Sequence, residues 1–116
     1  MRAARLAAIR RDVAINFHNQ GLSVRDIAIR HGVSVRYVQV LFEREGMTFT
    51  EYLQNTRLEF ACRRLIDAHG SVRILDIAVE AGFTDLSTFN RLFRKRYGET
   101  PSSLRARTGR QIPHSG

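Results

Sequence analysis

A chain of 116 residues has room for one domain, or for two very small ones sharing a core. Its 19 Lys and Arg outnumber 11 Asp and Glu to give a net charge of +8, and Lys95 is the one lysine among the cations. A pI near 11.2 built from arginine points to nucleic acid, or less often to an anionic membrane surface. The bland alternative is a solubilising surface charge.

A single cysteine, Cys62, excludes an internal disulfide and suits a reducing cytoplasm. No apolar run approaches the roughly 20 residues of a membrane helix, so no membrane association is expected. The opening "MRAARLAAIRR" lacks the unbroken apolar stretch of a secretory signal. Its apolar positions run on into a structural helix.

That first helix carries Leu6, Ile9, Val13 and Phe17 at spacings of 3, 4 and 4, one apolar stripe. "NQG" at 19–21 ends it. Ser23 offers an N-cap with Asp26 in the first turn. The second helix reaches His31, and Gly32 supplies the left-handed residue that stops it. Ser34 caps a third helix to about Glu45, ended by Gly46.

Thr48 and Glu51 form a T-x-x-E capping box. It opens the longest helix, about Phe49 to Ala68, with Leu58, Ala61, Cys62 and Leu65 as its stripe. His69 and Gly70 close it, the histidine beside the negative end of the dipole. A fifth helix covers Ile74 to Ala81 and stops at Gly82. A sixth, capped by Asp85, runs to Tyr97 and stops at Gly98. Thr100 and Pro101 are N-cap and N1 of a short last helix to about Ala106. "TGRQIPHSG" at 108–116 has no periodicity and reads as a flexible tail.

The order contains a repeat. Asp26, Ile27, Ala28 and Gly32 recur as Asp76, Ile77, Ala78 and Gly82 at an offset of 50. Val38, Leu41 and Phe42 recur as Phe89, Leu92 and Phe93 at 51, and Gly46 and Thr48 as Gly98 and Thr100 at 52. Each unit needs a small Ala where a second helix crosses and a Gly free of the positive-φ penalty. An apolar residue (Val33, Phe83) then plugs the angle, and an apolar stripe follows. Those are the mechanical needs of a helix-turn-helix. A duplicated bundle that binds protein is the structural alternative.

The segment "DIAVEAGFTDLSTFNRLFRKRYGETPSSLR" at 76–105 resembles the DNA-binding domain of the AraC/XylS family of transcriptional regulators. The residues behind the resemblance are Ile77, Ala78, Gly82, Phe83, Phe89, Phe93, Gly98, Thr100 and Pro101. "RLEFACRRL" at 57–65 resembles the family's linker helix, and the likeness spans about residues 6–107. Leu104 departs from it, since the family often has Tyr there.

The resemblance implies an all-α fold of seven helices in two helix-turn-helix subdomains, 1–48 and 70–107, joined by a linker helix over 49–69. It also implies transcriptional regulation through a double-stranded DNA operator, and often contact with RNA polymerase. Family members commonly carry a separate effector-binding or dimerisation domain. Nothing here resembles a small-molecule pocket, so such a domain is expected to be absent from this chain.

Outward positions of the third helix are Arg36, Gln39, Val40 and Glu43, with Ser34 and Tyr37 near its edge, and Val35, Val38, Leu41 and Phe42 inward. On the sixth they are Ser87, Thr88, Asn90, Arg91 and Arg94, with Leu86, Phe89, Leu92 and Phe93 inward. Arginine pairs with guanine O6/N7 and Asn or Gln with adenine. The expected base contacts are therefore Arg36, Gln39, Val40, Ser87, Asn90 and Arg91. In the family, positions matching Arg36, Gln39 and Val40 tend to touch bases. Expected phosphate contacts are Ser34, Tyr37, Thr88, Arg94, Lys95 and Arg96, because residues 91–110 hold seven cations against Glu99 alone.

No cofactor is expected. The four histidines are scattered, with no metal-ligand spacing and no glycine loop for a nucleotide, so an enzyme is not expected. His31, before Gly32, suits a dipole or phosphate role. The rival nucleic-acid reading is a non-specific architectural binder, which charge alone would permit.

Overall fold

A computed structural model describes residues 2–67 and 72–111, with the backbone alone for 109–111. The described residues form seven helices and no strand: α1 (Arg2–Asn16), α2 (Val24–Arg30), α3 (Val35–Glu43), α4 (Phe49–Asp67), α5 (Ile74–Ala81), α6 (Leu86–Tyr97) and α7 (Pro101–Gln111). The expected all-α class and helix order are observed. Residues divide into two compact units between Thr56 and Arg57, inside α4.

In the first unit, α3 packs on α2 and α1. Ile9, Val13 and Phe17 of the α1 stripe are buried, as are Ile27 and Ala28 of α2 and Val38, Leu41 and Phe42 of α3. Phe42 is wholly buried and meets Phe49 edge-on at 5.5 Å between centroids and Tyr52 at 5.0 Å. Aromatic pairs in this range add attraction beyond area burial. The first turn of α4 is fixed by its capping box: the Glu51 N–H donates to Thr48 Oγ1 at 3.0 Å, and the Thr48 N–H to Glu51 Oε1 at 2.8 Å.

A polar cluster ties α1 to the end of α2. Asp12 accepts two bonds from Arg30 (3.0 and 2.6 Å), one from Asn16 Nδ2 (2.8 Å), and pairs with His31 Nε2 (2.8 Å). The Arg30 guanidinium, with help from His31 and Asn16, pulls the Asp12 carboxyl down to about 2. His31 is the C-cap of α2, as its position suggests, but its ring serves this carboxylate.

The second unit is built on Leu58, Ala61 and Leu65 of α4, Ile77, Ala78 and Ala81 of α5, Phe83, Phe89 and Phe93, and Leu104 of α7. The rings of Phe83, Phe89, Phe93 and Tyr97 form a chain with centroid steps of 5.1, 5.6 and 4.7 Å. Leu104, the departure from the family pattern, is buried in this core. Cys62 is half-buried and packs against the same core, and burial pushes its thiol pKa up.

Three expectations need adjustment. Leu86 is not an inward residue: it is 36% exposed, because it occupies the first position of α6, a turn before the fully buried Phe89. Val35, the first residue of α3, is likewise only half-buried. The last helix does not end near Ala106 but continues to Gln111, so Thr108, read as the start of a tail, is helical and donates its hydroxyl to the Leu104 carbonyl at 3.0 Å. Ala68, His69, Gly70 and residues 112–116 lie outside the described residues.

Candidate nucleic-acid interface

The two repeat units share more than composition. After α2 the Val33 N–H donates to the Ala28 carbonyl (3.0 Å) and the Gly32 N–H to Ile29 (3.2 Å). After α5 the Phe83 N–H donates to Ala78 (3.0 Å) and the Gly82 N–H to Val79 (3.0 Å). This paired arrangement is the Schellman motif, which requires a left-handed residue. Gly32 and Gly82 supply it with φ of 65° and 103°. Phe83 is buried after its glycine, whereas Val33 is half-buried.

Each turn delivers the chain to an N-cap. The Ser34 hydroxyl accepts from the Tyr37 N–H at 3.0 Å, and Asp85 Oδ1 from the Thr88 N–H at 2.7 Å. The Thr88 hydroxyl also donates to Asp85 Oδ2 at 3.0 Å. Both bonds hold the Asp85 carboxyl below its ordinary pKa. The caps differ in sign of consequence: α3 begins on a neutral hydroxyl whose own O–H stays available as a donor, whereas α6 begins on a carboxylate. An anion near the start of α6 must therefore be held by the cations further along it.

On α3, Arg36, Gln39 and Glu43 are exposed along one face, while Val40 and Tyr37 are half-buried. Arg36 Nη1 lies 3.3 Å from Glu43 Oε1, with 71% and 55% of the two side chains exposed. On α6, Ser87, Arg91, Arg94 and Lys95 are exposed, and Thr88 and Asn90 are half-buried. No acidic residue lies on α6 itself. Arg96 is held within its own unit: Nη2 donates to Glu59 at 3.1 Å and its guanidinium lies 5.5 Å from the Tyr97 ring centroid.

Of the expected phosphate contacts, Arg94 and Lys95 are thus presented most freely, and Thr88 and Arg96 are already engaged. The sequence reading passed over α1, where Arg2, Arg5 and Arg11 are also exposed. Four arginines against Asp12 within Arg2–Asn16 were the available signal. Among the described residues no group of His, Cys, Asp and Glu could hold a metal ion, and no helix is long and apolar enough to cross a membrane.

A glycine-stopped helix followed by a capped helix with exposed polar side chains, twice over, defines the helix-turn-helix class of DNA-binding domains. A family model described as "Helix-turn-helix domain" matches residues 27–107. Over 102 residues the chain is 44% identical to the transcriptional activator RhrA of Rhizobium meliloti, covering 87% of this chain and 32% of RhrA. Over 88 residues it is 36% identical to the probable transcription factor PqrA of Proteus vulgaris, covering 75% of this chain and 70% of PqrA. A solved transcriptional regulator of the AraC type from Chromobacterium violaceum matches with TM-score 0.82 and 28% identity, covering 91% of this chain and 93% of that one. The chain belongs to the AraC/XylS family and is a DNA-binding transcriptional regulator domain, not an enzyme. It spans about a third of the length of RhrA.

Proposed function

We propose that this chain regulates transcription by reading a specific double-stranded DNA operator, with α3 and α6 each inserted in a major groove. The observation that supports this most is the repeated Schellman turn, which puts a capped helix with exposed polar and basic side chains after each glycine. On this reading Arg36, Gln39, Val40, Ser87, Asn90 and Arg91 touch base edges. Ser34, Tyr37, Arg94 and Lys95 touch phosphates, joined by Thr88 and Arg96 when their internal bonds are exchanged.

The two reading subdomains, 1–48 and 70–107, take successive grooves on one side of the duplex. A site read by two different helices need not be palindromic.

Partners and context follow the relatives. RhrA is described as an activator, which supports a contact with RNA polymerase. RhrA is also about three times as long as its matched segment, which supports action as the output domain beside an effector or dimerisation domain. Such a protein works in the cytoplasm, where its operator is.

Selection from a random duplex pool, followed by footprinting at fixed salt, tests the proposal. It predicts enrichment of one asymmetric site covering two major grooves. Equal binding of all duplexes would instead identify a non-specific architectural protein.

A further inference from the structure

The N-terminal half of α1 and the C-terminal end of α3 enclose a groove of about 400 Å³ within the first unit. Leu41, buried, and Leu6, half-buried, give it an apolar wall, while Arg2, Arg10 and Arg44 stand around it. The α1 stripe explains the open apolar surface. Ile9, Val13 and Phe17 are covered by the unit's own core, but Leu6, one turn earlier, is not fully covered.

The charges are unbalanced. Glu45, the one carboxylate lining the groove, is taken by Arg10 Nη2 at 2.9 Å. The Nε of Arg10 is buried and has no hydrogen-bond partner. Arg10 is committed to Glu45 and to the Tyr52 ring, whose centroid lies 5.8 Å from its guanidinium carbon. Arg2 and Arg44 are exposed and have no carboxylate partner among the described residues.

We infer that this groove receives an acidic amphipathic helix from another protein. One or two leucine-type side chains lie against Leu6 and Leu41, and carboxylates reach Arg2 and Arg44. Apolar anchors inside a ring of complementary charge are the usual anatomy of a helix-in-groove contact. A DNA backbone would satisfy the arginines but has no use for the apolar wall. At 3.6 residues per turn, Leu41 lies about 140° around α3 from Arg36. The apolar wall of the groove and Arg36 therefore lie on different sides of one helix.

The test is fluorescence anisotropy with a labelled helix-forming peptide. It carries leucines at i, i+3, i+4 and i+7 and glutamates flanking them, and its control is a scrambled peptide of the same composition. At about 150 mM salt, where long-range charge effects are screened, saturable binding to the 116-residue chain is expected. The scrambled peptide should bind at least about tenfold more weakly.

Ala7→Trp fills the groove from an exposed position without changing charge, and Arg44→Glu reverses one cation. Each should weaken the peptide by about fivefold or more, whereas Lys95→Glu, the same charge change on α6, should not. Circular dichroism verifies that the variants are folded, and Ala3→Trp replaces Ala7→Trp if that one is not. Three results would overturn the inference. One is no saturable binding. Another is equal weakening by Lys95→Glu and Arg44→Glu. The third is loss of duplex affinity in Ala7→Trp with peptide binding intact, which would assign the groove to DNA.

Discussion

Arg36 and Glu43 face each other along the outer side of α3, with 3.3 Å between Nη1 and Oε1. They are seven residues apart, two turns of one helix. Both side chains are more than half exposed, so the pair contributes little to stability. Its consequence is for binding: the guanidinium proposed to meet a guanine is held by a carboxylate that it must leave. Arg36→Ala should cost about 1–3 kcal/mol at the selected site and flatten preference at one base pair. Glu43→Gln should tighten binding to all duplexes, by about 0.5–1 kcal/mol, because it frees Arg36 and removes a negative charge facing DNA. Quantitative binding to single-base-pair variants of the site checks both.

Arg94 is exposed on a helix that holds no acid. Arg94→Ala should weaken every duplex alike and reduce the slope of log K against log salt by about 0.9. A titration series over several salt concentrations measures it. A change in base preference without a change in slope would move Arg94 from the phosphates to the bases.

The cluster at Asp12 makes stability depend on acid. Its carboxyl titrates at about 2 in the folded chain against an ordinary 3.8. The unfolded chain therefore takes up the proton first as pH falls. The stabilisation is complete above about pH 4 and is lost as pH drops toward 2. Its size is about 1–2 kcal/mol, less than full linkage would give, because Arg30 is open to solvent. In urea denaturation, Asp12→Asn should be less stable than the parent near neutrality, and the gap should narrow by that amount in strong acid. A gap constant with pH would show that the cluster acts by packing alone.

The two turn glycines should not tolerate alanine equally. At Gly32, φ is 65° and no atom lies within 4 Å of an added Cβ, so Gly32→Ala carries only the conformational penalty, about 1–2 kcal/mol. At Gly82, φ is 103°, beyond the narrow left-handed well open to other residues. Gly82→Ala should cost about 2–3 kcal/mol. Urea midpoints of the two variants decide the order.

The caps and stops were legible because their chemistry is local. Ser23, Ser34, Thr48 and Asp85, with Gly32, Gly46, Gly82 and Gly98, mark their helix ends through groups within a few residues. The repeat made the turns legible twice. Leu86 misled because an apolar stripe says which side of a helix faces inward, not where along the helix burial begins. The last helix outran its reading because Thr108 and Gly109 look like breakers, while Thr108 instead bonds back to Leu104. Asp12 with Arg30 and His31, or Arg96 with Glu59, could not be read at all: partners 18, 19 and 37 residues apart leave no spacing signature. That last pairing bears on the site, since it engages a cation that sequence alone assigns to phosphate.

The central claim is that two helices of one chain read two grooves. Methylation interference at guanine N7 on the selected duplex tests it most directly. Two clusters of interfering guanines are predicted, about one helical turn apart. Arg36→Ala should erase one cluster and Arg91→Ala the other. A single cluster, or the same cluster lost in both variants, would contradict the account.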